Sequence, residues 1–571
     1  MRKPMTCLGL LFLAACQTTV YSDGPGMAAR AERSVVCATS AACAGREPGA
    51  TPSEATMKRL VQELSSDAFE GRAPGGPGEA KTLDLLVREF TQLGLKPGNG
   101  DSWFQDVPLV EIAAQKVSPL TFSGGKSTVT AQYGPQMVIG TYRITPRINL
   151  DKSPVVFVGY GINAPERGWN DYAGIDVKGK TVVILVNDPD YETQGLTGTF
   201  NGRAMTYYGR WTYKFEEAAR QGAAAAIIVH DTVPAAYGWN VVQSSWTGPQ
   251  QVAAAADDNA RQSAAIGWIN QDVAKALMTS AGRDLVTLTA AAKRKGFRAV
   301  DLGVSMSVSF DNAIRRHQSK NFVAVLPGSA RPDEYVLYTA HWDHLGRCEK
   351  APDGDDICNG AIDNATGTAA LVALAEANVK AGPTARSQLF LAVTAEESGL
   401  LGSAYYGNNP VKPLAQTVAG INIDALQMWG PARNVTVVGK GKSDLDGYLE
   451  RALAAQGRVA TAEPTPEKGF YYRSDHFSLA KQGVPMLYFE RGEDLVDGGT
   501  TAGLAAQKDY EDNRYHGPKD EYDPSWNWSG VMEDMDAYFR VGRDLAQSGV
   551  WPNWVAGDEF RAIRDRSRAG R

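Results

Sequence analysis

Two adjacent carboxylates, Glu396 and Glu397, follow the apolar run Leu389-Phe390-Leu391-Ala392-Val393, which reads as a buried strand. In an open α/β sheet, ligands gather at the carboxyl ends of the strands. Neighbouring carboxylates repel each other, so a buried pair needs a cation or a proton to stabilise it. An isolated pair would read as a solvated strand end, but this pair has company. His341 and Asp343 follow the run Tyr335 to Ala340, and Asp424 closes the run Val418 to Ile423. Asp363 precedes a helical stretch with Leu371, Leu374, Ala375 and Val379 on one face, and His516 sits in Tyr-His-Gly-Pro. Hydrolysis of a peptide bond needs an activated water and a polarised carbonyl, and two metal ions roughly 3.5–4 Å apart supply both. Such a centre needs several His and carboxylate ligands, one of them bridging, and a free carboxylate as general base. These residues offer that set.

The elements that must position them alternate. Strands are expected at Asn321 to Leu326, Tyr335 to Ala340, Leu389 to Val393, Val418 to Ile423 and Val484 to Phe489, with helical stretches between. That order argues for an α/β fold, a mostly parallel twisted sheet with helices on both faces. A helix begins near Pro52-Ser53 with Leu60, Val61 and Leu64 at helical spacing. The Gly-rich stretch Phe69 to Gly78 lacks the Gly that a phosphate loop needs before its lysine, since Ala80 precedes Lys81. It reads as a loop-to-helix junction. Residues 141–300 differ in texture, with strands at Val155 to Gly161 and Val182 to Val186, a helix at Lys214 to Gln221, and no metal-ligand cluster. His230 there reads as structural. The charged tail beyond Trp554 reads as peripheral.

At 571 residues the chain is too long for one ordinary core. Its 43% hydrophobic and 21% charged residues are those of a globular protein, and a net charge of −6 gives no reason to expect nucleic acid as a partner. Arg2, Lys3 and the apolar Leu8 to Ala15 read as a signal segment. Leu13-Ala14-Ala15-Cys16 resembles the lipobox of bacterial lipoproteins, which implies cleavage before Cys16 and a lipid on its thiol. The expectation is an exported protein, held at the outer membrane or in the periplasm of a Gram-negative bacterium. Residues 16–52 read as a tether. The remaining cysteines form two close pairs, so disulfides are expected at Cys37–Cys43 and Cys348–Cys358.

The pieces HWDHLG, GAIDNATG, AEESGLLGS, INIDAL, RSDHFS and YHGPKD together resemble the co-catalytic zinc aminopeptidase family. Bacterial leucyl-type aminopeptidases, glutamate carboxypeptidase II and the transferrin receptor belong to it. The resemblance implies a peptidase domain split over 53–140 and 301–550. GYGINAPERGWNDYAGIDVKGKTVVIL and KFEEAARQGAAAAIIV resemble a β-rich protease-associated domain inserted between the halves. It also implies two zinc ions per chain and peptide substrates. His341 matches a ligand of the first zinc, and Asp343 the carboxylate that orients it. Asp363 matches the bridging carboxylate, with a cis bond to Asn364. Glu396 matches the general base, Glu397 and His516 ligands of the second zinc, and Asp424 a ligand of the first. Tyr471, with Tyr472 beside it, is the candidate donor to the developing oxyanion. The implied activity is removal of N-terminal amino acids. Relatives that are amidohydrolases, carboxypeptidases or glutaminyl cyclases, and receptors that have lost their metals, are the alternatives. Arg473 and Arg491 are the candidates for a carboxypeptidase's carboxylate clamp. His344, one residue beyond the motif, reads either as a residue that supports a ligand from behind or as exposed, and His476 as structural.

Overall fold

The computed structural model describes residues 50–570. The signal segment, the Cys16 lipid site, nearly all of the tether and the Cys37–Cys43 pair lie outside the described residues.

The central strand, Arg331–His341, is buried throughout its second half. It runs parallel to Arg386–Val393 on one side (His341 opposite Val393) and to Thr417–Asn422 on the other (Thr339 opposite Asn422). Met486–Arg491 extends the parallel set, with Asn422 opposite Tyr488. An antiparallel strand flanks this parallel set on each side. The end of Val300–Leu326 lies on Arg386–Val393, and Asn434–Val437 lies on Met486–Arg491.

Alternation along these strands feeds two cores. Val336, Tyr338, Ala340, Phe390 and Ala392 pack with the helices Glu54–Leu64, Pro77–Gln92, Thr366–Lys380 and Ser529–Gln547. Leu337, Leu389, Leu391 and Val393 pack on the opposite face with Tyr406, Phe477, Trp554 and Phe560. Both faces are covered, which is why the strands read as unbroken apolar runs. The first helix starts where expected, with the Ser53 hydroxyl accepting from the Thr56 N–H at 3.2 Å.

A second set of strands, Thr181–Leu185, Ala225–Val229 and Ala265–Ile269, is parallel and has its own apolar cores. The strand Val300–Leu326 joins the two parts. It pairs with Arg147–Phe157, Leu120–Ser123 and Phe104–Gln115 before it reaches Arg386–Val393. Leu120, Phe122, Ala131, Met137 and Ile139 pack in the second core, not with the sheet around Arg331–His341. One continuous strand crossing both parts leaves no compositional break at residue 301 to mark the junction.

The tail is also a correction. Trp554, Phe560 and Arg564 are buried. The Arg564 guanidinium donates to the carbonyls of Thr417 (3.0 Å) and Val418 (2.8 Å), so the charge that suggested a peripheral tail anchors it to a core strand. The Cys348–Cys358 disulfide forms as expected and closes the loop between His341 and Asp363.

Candidate metal centre

The candidate residues emerge at one edge of the sheet. His341 ends its strand, Glu396 and Glu397 follow Arg386–Val393, and Asp424 follows Thr417–Asn422. Ala395, Ala425 and His516 all have left-handed backbone, with φ of 52°, 50° and 55°. Non-glycine residues in this region are costly and cluster at functional sites. Asp363 precedes Thr366–Lys380, and its bond to Asn364 is cis. Asn364 is tied on both sides, accepting from the N–H groups of Gly367 (2.8 Å) and Ala425 (3.1 Å). At Gly360 a Cβ would lie 2.1 Å from the Asp363 carbonyl oxygen and 2.5 Å from the His344 ring, so only glycine allows this approach.

The side chains form two groups that share Asp363. His341 Nε2 lies 3.3 Å from Asp363 Oδ1 and 3.1 Å from Asp424 Oδ1. His516 Nε2 lies 3.3 Å from Asp363 Oδ2 and 3.1 Å from Glu397 Oε2. Each Asp363 oxygen thus faces a different imidazole. Glu396 lines the cavity above them and carries no salt bridge among the described residues.

Two roles expected from sequence change. Asp343 does not hold His341 through its carboxylate, which is 3.9 Å from Nδ1. Its backbone carbonyl is the near partner at 3.1 Å. The carboxylate instead accepts the Glu396 N–H at 3.2 Å and so fixes the backbone of the expected base. His344 belongs to the centre. It is buried, with Nδ1 2.6 Å from Glu397 Oε1, and it groups with Asp363 and Glu397. The second histidine of HWDH was its signal.

Other supports come from parts of the quoted motifs that were given no role. Asp520, the last residue of YHGPKD, accepts the N–H groups of Ile362 and Asp363, both at 3.0 Å. Ser474 donates to Asp424 Oδ2 at 2.6 Å and accepts from Asn422 Nδ2 at 2.8 Å. Arg72, 0% exposed, comes from the Gly-rich loop. It donates to the carbonyls of Leu64 (2.8 Å), Trp342 (3.0 Å), Asn359 (2.6 Å) and Gly360 (2.8 Å), clamping both ends of the loop from His341 to Asp363.

The structure does not bring Tyr471 to the cavity. The turn Phe470–Tyr472 sends Phe470 outward and both tyrosines inward. Tyr471 packs on His476 and Phe560, and its hydroxyl is buried with no hydrogen-bond partner. His476 lies between the Tyr471 and Tyr488 rings, a structural placement, and burial pushes its imidazole down to about 3. Of the two arginine candidates, Arg491 is spent on Asp534 and the Gly430 carbonyl. Arg473 lines the cavity above the Phe470 ring.

The electrostatics favour bound cations. Burial opposes charge on His341, yet Asp424, Glu396 and Asp363 outweigh it and hold the imidazole well above its ordinary value. Burial, reinforced by Glu397, Asp424 and Asp475, pushes Glu396 well above the carboxylate range, with His341 opposing. Asp475 and Asp520, both buried, add to this acidic region. Among the described residues, the salt-bridge partners of Asp343, Asp363, Glu397 and Asp424 are histidines alone. So many buried carboxylates against so few cations suit divalent ions. The donor set of His nitrogens and carboxylate oxygens, within 4.8 Å of one another for His341, Asp363 and Asp424 and again for His344, Asp363 and Glu397, suits zinc.

The centre opens into a cavity of about 630 Å³. Its walls include Gln427, Trp429, Tyr488, Glu490 and Tyr515, and Ala236 and Tyr237 reach it from the second part of the chain.

Residues 321–539 match the profile of Peptidase family M28. Aminopeptidase NAALADL1 of Mus musculus is 31% identical over 128 residues, covering 21% of this chain and 16% of that protein. A glutamate carboxypeptidase 2 homolog of Caenorhabditis elegans is 30% identical over 131 residues, covering 22% and 16%. The chain therefore matches about one sixth of the length of these curated relatives, 16% in each case. Among solved structures, an aminopeptidase from Aneurinibacillus sp. strain AM-1 aligns with a TM-score of 0.44 at 19% identity, covering 88% of this chain and 95% of that one. A zinc aminopeptidase from Bacillus subtilis aligns with a TM-score of 0.40 at 17% identity, covering 89% and 98%.

Proposed function

We propose that this chain is a two-zinc aminopeptidase that removes N-terminal residues from peptides. The observation that carries the reading is the division of Asp363 between two groups, one oxygen facing His341 and Asp424, the other facing His516 and Glu397. His341 and Asp424 would hold one ion, and Glu397 with His516 the other. His344, against Glu397, would set the orientation of that carboxylate or join its group. Two zinc ions there supply a water that ionises near neutral pH and a polarised scissile carbonyl.

The protein's own groups do the rest. Glu396 faces the cavity without a salt-bridge partner, so it is free to take a proton as the carbonyl is attacked and to return it to the leaving amine. Burial and acidic neighbours raise its affinity for that proton. Asp343 holds the Glu396 backbone, and Asp520 holds that of Asp363. Ser474 fixes the outer oxygen of Asp424. With Arg491 committed to Asp534, a carboxylate clamp of the carboxypeptidase kind has only Arg473 to draw on from the expected pair.

The test compares free and N-acetylated forms of one short peptide, with products sequenced by mass. The expected result is stepwise loss from the free amino end and no cleavage of the acetylated peptide. Release of the C-terminal residue from both forms would replace this reading with a carboxypeptidase.

A further inference from the structure

The sheet register carries a consequence for substrate choice. Asn422 pairs with Tyr488 at the end of its strand, and Glu490, two residues further along the neighbouring strand, lines the same cavity as Asp424. Thr436 flanks Glu490 from the other side. Glu490 Oε1 accepts the Tyr488 hydroxyl at 2.6 Å. Glu463 and Glu511 line the same cavity. Burial pushes the carboxyls of Glu490 and Glu463 up, and repulsion adds to it, from Asp424 and Glu511 at Glu490 and from Glu490 and Glu467 at Glu463, where Lys442 opposes. Among the described residues none of the three has a salt bridge, and Glu463 Oε2 is buried with no hydrogen-bond partner at all. The cations of the cavity are placed elsewhere. Arg491 is bound to Asp534, while Lys468 and Arg473 both lie over the Phe470 ring.

Carboxylates without a counter-charge on the wall of one cavity raise one another's energy, and a ligand cation relieves that repulsion through charge-assisted hydrogen bonds. Val438, Trp429 and the Tyr488 ring, on the same walls, suit the aliphatic stem of a long cationic side chain. We propose that the cavity selects substrates whose N-terminal residue is lysine or arginine, with Glu490 as the main determinant and Glu463 and Glu511 beside it. This rests on the aminopeptidase reading. An α-amino group needs one carboxylate. A wall of three provides for a second positive charge.

The experiment measures kcat/KM for the p-nitroanilides of lysine, leucine and glutamate on the zinc-loaded wild type, Glu490→Gln, Glu490→Asp and Glu463→Gln. The expected wild-type order is lysine, then leucine, then glutamate. In Glu490→Gln the lysine-to-leucine ratio falls by roughly tenfold or more, the size of one lost charge-assisted bond. Glu463→Gln lowers the ratio less, and Glu490→Asp keeps most of it. The ratio is insensitive to a general loss of folded enzyme. A wild type that prefers leucine overturns the proposal and leaves the aminopeptidase standing. So does a Glu490→Gln enzyme that loses both substrates in equal proportion, because the carboxylate would then hold the α-amine common to both. No hydrolysis of any of the three would fail the underlying reading instead.

Discussion

Replacing Glu396 by glutamine is expected to lower kcat by about 10²–10⁴, the usual contribution of a positioned acid–base group. Bound zinc and KM should change little. The substitution keeps size and shape and removes only the ability to carry the proton. The competing role is visible in the same region, since Glu396 also lies within ligating distance of a group with His341 and Glu397. The two roles separate cleanly. A base loses rate and keeps metal, whereas a ligand loses metal first. Steady-state kinetics and metal analysis on the same preparation decide between them. Zinc loss in Glu396→Gln would move this residue into the ligand set and leave the base unassigned.

The second large effect is on stability. Arg72→Met should destabilise the protein by roughly 3–5 kcal/mol, the cost of leaving several buried carbonyls without their charged donor. Arg72 donates to four carbonyls from three separate stretches of the chain, so its loss leaves buried acceptors unpaired. Burial draws its guanidinium down to about 10, with Asp520, Asp343, Asp363 and Glu397 opposing that pull, so it stays charged at neutral pH. It is therefore the permanent cation under a carboxylate-rich centre. Arg72→Lys should recover little, because an ammonium cannot span the same carbonyls. Chemical denaturation read by tryptophan fluorescence measures the shift. A change below about 1 kcal/mol would show that the four bonds are replaced by water.

The strand ends were legible because a strand buried on both faces must be an unbroken apolar run, and a polar residue that follows it stands out. His341, Glu396, Glu397 and Asp424 are all found this way. Asp363 and His516 were legible only within their motifs, since no periodicity places a loop residue. What the sequence could not carry is pairing across distance. Nothing local in Phe69 to Gly78 says that Arg72 will reach the Trp342 carbonyl, and nothing in YHGPKD says that Asp520 will hold Ile362 and Asp363. Tyr471 was misplaced for a related reason. Three aromatic residues in a row leave open which ring turns inward, and packing against Phe560, far along the chain, decides it. That same distant anchor is why the charged tail is buried rather than peripheral.

The central claim is a pair of metal ions bridged by Asp363. It is tested most directly by zinc stoichiometry on the full chain after loading and exhaustive dialysis, for the wild type and for Asp363→Ala. Two zinc ions per wild-type chain and a loss of both in the variant are expected, because each ion would draw on Asp363. A wild-type chain that holds one ion or none, or an Asp363→Ala chain that still holds two, would contradict it.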